Sequence, residues 1–364
     1  LHGLARKKHL TMKHIYLLFL LISSLGYSQQ PYYDSVNFDG LTGDNLKNTL
    51  AQLIDNASST YTYGDVRDDF KIMELENPTD PNNNNVLLTY GYIDNVICTS
   101  GQTDRRIRNK NNFGGSACEY NREHVFARSN ANPGMGPVSN GDTGIAADPQ
   151  NLRATDVTRN GIRDSRKFGD GTGNSSVLGN GDYYPGNEWR GDVARIMMYM
   201  YTRYGDRCLP ELNASGPKQG TTDMLQILLQ WNADDLVSDV EDNRNTRLET
   251  VYGNRNPFID NPALATVIWG GPDAEDRWGN LLTTENFQQQ EIKIFPNPAN
   301  GNEVNIISNK DIIAEVYDIL GKRVNQQNLT SNQRKLNISG LKKGIYLLKL
   351  KTDSGTVTKK LIRQ

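Results

Sequence analysis

Residues 118–130 read CEYNREHVFARSN. One histidine, His124, stands there directly after Arg122 and Glu123, with Arg128 four positions on. The chain has 4 histidines in 364 residues, and the other three, His2, His9 and His14, fall at the very start. If that start is a removable leader, His124 is the one imidazole of the mature chain. A lone histidine is most often a satisfied core residue. Its company here is odd for a core strand: a glutamate, two arginines and a long polar stretch behind.

The leader reads as an export signal. RKKHLTMKH is a basic stretch, and IYLLFLLISSLG after it is apolar but too short for a comfortable membrane span. Gly26 and Ser28 give a small-x-small cleavage site, so the spacing predicts a signal peptide over 1–28, with Met12 as a possible start. Hydrophobic residues make up 36% and charged residues 23%, which fits a loop-rich soluble body. The net charge of −2 gives no global basic field, so a nucleic-acid partner would need a local basic patch or a metal. Cys98, Cys118 and Cys208 allow at most one internal disulfide. They lack CxxC spacing, and with one mature histidine they argue against a Cys/His zinc site.

Further along, TGDNLKNTLAQLIDN places Leu46, Leu50, Leu53 and Ile54 on one helical face, with Thr42 or Asp44 as a cap. VLLTYGYI reads as a strand after the loop NPTDPNNNN. Residues 101–182 are rich in Gly, Asn, Asp and Arg and read as long ordered loops around short elements. GDVARIMMYMYTRYG predicts a core-facing helix, with Asp192 as N-cap and Gly205 past its end. TTDMLQILLQWN and DDLVSDVEDNRNTRLETVYG predict two more, the second closing at Gly253. Glu241 and Arg244, three apart, read as a surface pair on that last helix. Near residue 290 the pattern changes to short alternating strands with frequent turns, an all-β pattern. The chain divides into a signal (1–28), a mixed α+β body (29–275), a linker (276–290) and a β tail (291–364).

Residues 148–169, DPQNLRATDVTRNGIRDSRKFG, crowd amides, carboxylates and arginines together. One histidine, a carboxylate, an amide and arginines suit phosphodiester hydrolysis. A neutral imidazole can take a proton from water near pH 7. A hard divalent cation prefers oxygen from Glu, Asp or Asn. Arginine grips phosphate with paired hydrogen bonds.

YNREHVFARS, GMGP and DPQNLRATDVTRNGIR resemble the core of bacterial secreted nucleases of the endonuclease I family, which includes extracellular ribonucleases and periplasmic DNases. GDVARIMMYMYTRYG, WNADDLVSDVEDNRNTRLETVYGNRNPFIDNP and VIW resemble its later helices. The resemblance runs in order over about residues 30–270 and implies a ββα-metal, or His–metal finger, core with additional helices, followed by a small sandwich-like all-β domain. It implies His124 as general base, Glu123 and Asn160 as metal ligands, and Arg163 near the scissile phosphate. The metal would be Mg²⁺, or another hard cation such as Ca²⁺ or Mn²⁺. Arg122, Arg128, Arg153 and Arg159 are candidate phosphate contacts on charge and position. The chain departs from the family pattern at Gln150 and Asn151, where a histidine pair or His-Asn is common, and at Ser165 and Lys167, which replace an amide and a carboxylate. GDGTGNSSVLGNGD lacks calcium-loop spacing and reads as a mobile loop near the groove. GNRNPFID reads as a structural clasp.

IKIFPNPANGNEVNI, VYDILGKRV and LNISGLKKGIYLLKLKTDSGTVTKKLIR resemble the type IX secretion sorting domain of Bacteroidetes-type bacteria. That implies export through the periplasm to the medium or the cell surface, with the secretion machinery as partner. The expected molecule is a monomeric, metal-dependent endonuclease acting on DNA and/or RNA with little sequence specificity and leaving 5′-phosphates. A non-catalytic adhesin or nucleic-acid-binding module on a degenerate nuclease scaffold is the rival, with Gln150 as its best support. A phosphodiesterase for small substrates would share the site but need a closed pocket.

Overall fold

The computed structural model describes residues 30–80, 82–96, 105–279, 281, 293–307, 311–319, 321–330, 334–352 and 355–364. The expected signal peptide, Cys98 and most of the expected linker lie outside them. Among the described residues no helix is long and apolar enough to cross a membrane. The chain forms two compact units, 1–282 and 283–364.

The first unit mixes helices and strands. Helix α1 (Gly43–Ile54) buries Leu46, Leu50 and Ile54, with Leu53 packed at the core's edge. Thr42 caps it by backbone position alone. Helix α2 (Tyr63–Met73) opens on a capping box, in which Thr62 and Asp65 satisfy each other's backbone N–H. Strand β1 (Asn85–Leu87) pairs antiparallel with β2 (Ile107–Asn109). The strand expected over VLLTYGYI is thus short. It stops because Thr89 N donates to Ala154 O and Tyr90 turns to a φ of 67°.

Strand β3 (Tyr120–His124) pairs antiparallel with β4 (Leu152–Asp156), with Tyr120 opposite Asp156 and His124 opposite Leu152. Helix α3 (Val157–Arg163) follows β4 without a loop. Asp156 makes that possible: Oδ1 caps the helix by accepting from Thr158 N and Arg159 N, and Oδ2 accepts from Arg108 Nη2 at 3.0 Å.

Behind this lies α4 (Arg190–Tyr204), whose residues 191–202 are all buried. It is the core helix the Met and Tyr pattern predicts, and it ends at Gly205. Asp192 is not its N-cap, however; Trp189 takes that position. Helix α5 (Gln226–Asp234) packs beside α4, and α6 (Asp239–Tyr252) ends at Gly253 in left-handed geometry, as its sequence predicts. Helix α7 (Ala263–Trp269) closes the core.

The reading of Glu241 and Arg244 as a surface pair fails, because both are buried and each faces a different partner. Glu241 takes Arg195 (2.7 Å), and Arg244 takes Glu74 (2.5 Å). They are the two ends of one buried chain of alternating charge: Glu241, Arg195, Asp192, Arg153, Glu74, Arg244. Its inner links are 3.7 Å (Arg195–Asp192), 2.8 Å (Asp192–Arg153) and 2.9 Å (Arg153–Glu74). The carboxylates and guanidinium groups balance, so the interior carries no net charge from them. Losing one member would leave a buried ion unpaired, at a cost of about 3–5 kcal/mol.

Residues 276–279 and 281 also belong to this unit. Asp276 accepts from Asn261 Nδ2 (2.9 Å) and Leu281 N (2.7 Å), and Trp278 packs on Tyr33 and Phe38. The body therefore runs past the boundary expected at 275.

The second unit is all-β among its described residues. Strands β5 (Lys293–Phe295), β6 (Glu303–Ile307) and β9 (Lys335–Asn337) form one antiparallel sheet in the order β9-β6-β5. Strands β7 (Ile312–Tyr317), β8 (Arg323–Leu329), β10 (Gly344–Thr352) and β11 (Gly355–Arg363) form another, ordered β8-β7-β10-β11. Val304, Ile306, Ala314, Val316, Leu348 and Leu350 share its apolar core.

Candidate active site

A cleft of about 550 Å³ opens where β3 ends, beside the C-terminal half of α3. Arg122, Glu123, His124, Arg128, Asn160 and Arg163 all line it, so six of the eight expected site residues come together. Strand alternation explains how one short segment serves it twice. Asn121 and Glu123 face α3, where residues three apart share a face, and they meet Asn160 and Arg163. Asn160 Nδ2 donates to Asn121 Oδ1 at 2.7 Å, and Arg163 Nη1 lies 3.1 Å from Glu123 Oε1. Arg122 and His124 face the other way, toward Tyr63.

The imidazole of His124 is held at one nitrogen. Nε2 lies 2.7 Å from the carbonyl oxygen of Ala146. A carbonyl only accepts, so Nε2 carries the hydrogen and Nδ1 keeps the lone pair. The ring also stacks on Tyr63, with centroids 5.6 Å apart and planes at 22°. Burial, aided by nearby Arg128, Arg122 and Arg163, holds its pKa down at about 4, despite the opposing hydrogen bond that Nε2 donates to Ala146 O. The ring is thus neutral at pH 7.

Glu123 is buried, and burial pushes its carboxyl up to about 7, against the pull of Arg163 and the hydrogen bond from Tyr90 (3.1 Å). A buried carboxylate whose one nearby guanidinium does not offset its desolvation is a site that would gain from a cation. Asn160 spends Nδ2 on Asn121 Oδ1 and on the Arg122 carbonyl, 3.3 Å away, which leaves its carbonyl oxygen as the acceptor. A carboxylate and an amide oxygen are hard donors and fit a hard divalent ion that keeps most of its waters. Among the described residues no group of three or more His, Cys, Asp and Glu could hold a metal.

The arginines divide. Arg128 is half-buried and lines the cleft, and its side chain makes one hydrogen bond among the described residues, from Nη1 to Gly136 O (2.5 Å). Arg122 also faces the cleft, while it donates to Tyr63 O and, at 3.0 Å, to Asn140 Oδ1.

Arg153 and Arg159 do not fit the expected role of phosphate contacts. Arg153 is a link in the buried charge chain. Arg159 is buried too, paired with Asp94 at 2.8 Å and stacked over Tyr92 at 3.8 Å. Neither lines the cleft.

Arg163 needs a different role from the one expected. Its Nη1 donates to His124 O (3.0 Å) and Asp164 O (3.1 Å), and its Nη2 to Val125 O (2.7 Å) and Asn213 Oδ1 (3.2 Å). Arg163 is 1% exposed and its two terminal nitrogens serve four protein acceptors, whereas Arg122 is only half-buried, so Arg163 is placed to hold the end of β3 rather than to grip a phosphate.

Residues 150 and 151 exchange importance. Gln150 is buried and turns to Asn245, 3.3 Å away. Asn151 does the orienting: its side chain bonds both Phe126 N (2.7 Å) and Phe126 O (3.0 Å), and its carbonyl accepts from Val125 N (3.0 Å). The strand after His124 is therefore pinned without a histidine at 150. Tyr63 and Ala146 are site residues that sequence patterns give no means to find, because one works through its ring face and the other through its backbone. The loop over 169–182 is tied down by Gly169 N to Tyr183 O and Leu178 N to Asp182 O, and it does not line the cleft. Cys118 is disulfide-bonded, and Cys208 is a free thiol in the core.

Comparison with known proteins places these features in context. A family model described as Endonuclease I matches residues 42–263, and one described as a secretion system C-terminal sorting domain matches residues 293–364. The extracellular ribonuclease of Bacillus subtilis (strain 168) is 35% identical over 265 residues, covering 68% of this chain and 83% of that protein. The extracellular ribonuclease of Bacillus amyloliquefaciens is 34% identical over 255 residues, covering 66% and 78%.

Proposed function

Because the chain belongs to the endonuclease I family and is a secreted nuclease with a C-terminal sorting domain, we propose that it hydrolyses RNA and DNA with little sequence preference, using His124 as general base. The observation that carries this reading is the 2.7 Å hydrogen bond between His124 Nε2 and Ala146 O, which fixes the tautomer a base requires. RNA is included because both relatives are named extracellular ribonucleases. A cleft lined by Arg122 and Arg128 favours contact with the phosphate backbone.

In this mechanism His124 Nδ1 takes a proton from water as the water oxygen attacks phosphorus. The P–O3′ bond breaks, the departing O3′ takes a proton from solvent, and the product keeps a 5′-phosphate. The apolar surroundings that lower the pKa of His124 help it return that proton to solvent. Arg128 contacts the phosphate, with Arg122 beside it. Arg163 and Asn151 hold the strand end so that Nδ1 keeps its place. The family generally uses a divalent metal. Bound by Glu123 and Asn160, such an ion, Mg²⁺ in our reading, would neutralise phosphate charge and stabilise the leaving oxygen. The ββα arrangement of β3, β4 and α3 supports assignment to the ββα-metal class. The sorting domain engages the type IX machinery, and the enzyme works as a monomer.

The test is digestion of supercoiled plasmid and of a structured RNA, with Mg²⁺, with EDTA and with His124→Ala. Metal-dependent cleavage that disappears in the mutant supports the mechanism. Cleavage that survives in His124→Ala keeps the nuclease and removes His124 as base.

A further inference from the structure

No step above uses the ring of Tyr63, yet it touches both cleft residues on its side of β3, Arg122 and His124. We propose that Tyr63 is the positioning residue of the site, setting the imidazole of His124 and the guanidinium of Arg122 in fixed relation, so that base and phosphate contact are presented as one unit. This rests on the reading of His124 as general base.

The geometry is specific. Arg122 and His124 are two apart on one strand and so share a face. The guanidinium carbon of Arg122 lies 3.5 Å from the Tyr63 ring centroid, and the His124 ring stacks on Tyr63 at 5.6 Å. A cation over an aromatic face and a near-parallel ring stack are each attractive. Arg122 also donates to the Tyr63 carbonyl, so both the ring and the backbone of Tyr63 constrain it.

Tyr63 can do this because its own backbone is fixed. It is the first residue of α2, inside the capping box formed by Thr62 and Asp65. Its N–H donates to Asp142 O, and Gly64 N donates to Asn140 O, each at 2.8 Å. A Cβ at residue 64 would come within 2.9 Å of the Asn140 oxygen, so this close seat needs glycine. Asn140 also binds Arg122 through Oδ1. The segment that seats α2 runs on to Ala146, whose carbonyl holds His124 Nε2.

Two constraints therefore act on one imidazole. A single hydrogen bond at Nε2 leaves the ring free to tip about the N–O line. The stack against Tyr63 removes that freedom and so keeps Nε2 aimed at the Ala146 carbonyl, the bond that fixes the tautomer. The ring face holds the imidazole; the hydroxyl bonds Arg122, so its loss spares the His124 stack while loss of the ring does not.

The test uses the full chain with Tyr63→Phe and Tyr63→Leu. Rates are measured on RNA and DNA, and the imidazole ¹⁵N spectrum is recorded at neutral pH, with the His124 signals identified by their loss in His124→Ala. Tyr63→Phe should keep kcat within about twofold and show the same Nε2–H tautomer as wild type. Tyr63→Leu should lower kcat on the order of 10²-fold with a smaller change in KM, and show a mixture of tautomers. A folded Tyr63→Leu with the wild-type tautomer overturns the proposal whatever its rate. If Tyr63→Leu does not fold, Tyr63→Met takes its place under the same criterion. If the wild type cleaves nothing, the general-base reading falls, while the spectrum still decides whether Tyr63 sets the ring.

Discussion

Arg163 is tied to the main chain of His124: its Nη1 lies 3.0 Å from the histidine's carbonyl oxygen and 3.1 Å from Glu123 Oε1. One guanidinium thus registers the expected base and the expected metal ligand against α3. Lysine carries the charge but cannot span acceptors this far apart. Arg163→Lys is therefore expected to lower kcat on the order of 10²-fold through displacement of the strand end. Arg163→Met should in addition cost about 3–5 kcal/mol of stability, since Glu123 is left buried and unpaired. Steady-state kinetics and urea unfolding check both, and a folded Arg163→Lys with wild-type kcat would remove the positioning role.

Arg153→Met should behave in the opposite way. It breaks the buried charge chain between Glu74 and Asp192, and unfolding should be easier by about 3–5 kcal/mol. Below its lowered melting point, activity per folded molecule should stay near wild type. A selective rise in KM would restore Arg153 as a substrate contact.

Arg128→Ala should leave the melting temperature unchanged, because the one hydrogen bond its side chain makes among the described residues is to a loop carbonyl at the cleft. Loss of a charged contact worth about 1.5 kcal/mol would raise KM roughly tenfold. The salt dependence should flatten as well, with the slope of log(kcat/KM) against log salt falling by about 0.9 on duplex DNA. An unchanged slope would mean that Arg128 does not meet phosphate.

Mg²⁺ should raise the thermal midpoint of the wild type in a concentration-dependent way, as any ligand of the native state does. EDTA should reverse the rise. Glu123→Gln and Asn160→Ala should each abolish it. A rise that persists in both variants would place the cation elsewhere.

Cys208 should be inert in the native protein. It is fully buried, and burial pushes its thiol up to about 12. At pH 8 its thiolate fraction is on the order of 10⁻⁴, and only the thiolate reacts. A thiol reagent should modify it only after denaturant is added, as read by peptide mass. Rapid native labelling would show that the core opens locally.

Much of the fold was legible from local signals. The helix ends at Gly205 and Gly253 follow from glycine's tolerance of left-handed geometry, and the methionine-rich stripe of α4 reads as core because its period is helical. The juxtaposition of His124 with Asn160 was legible only through the family resemblance, because no periodicity links residues so far apart. The roles of Arg153, Arg159 and Arg163 were not legible. A pattern reader treats arginine as surface, and what buries these three is pairing with residues distant in sequence. Arg153 meets Glu74 across 79 positions, and Arg244 meets the same carboxylate across 170. Tyr63 escaped for a related reason: a tyrosine at the start of a helix carries no motif, and its importance lies in which rings it touches.

The alternating chain from Glu241 to Arg244 also acts as a proofreader of assembly. Its members come from the end of α2, from β4, from α4 and from α6, and each sign has one place in the sequence of pairs. If β4 slipped by a single residue, Leu152 or Ala154 would stand where Arg153 stands, with Glu74 and Asp192 left facing each other without a cation between them. An aliphatic core would tolerate that slip at the cost of some packing. A core strung with opposite charges rejects it by repulsion, so the strand that carries Asn160's helix reaches the cleft in one register.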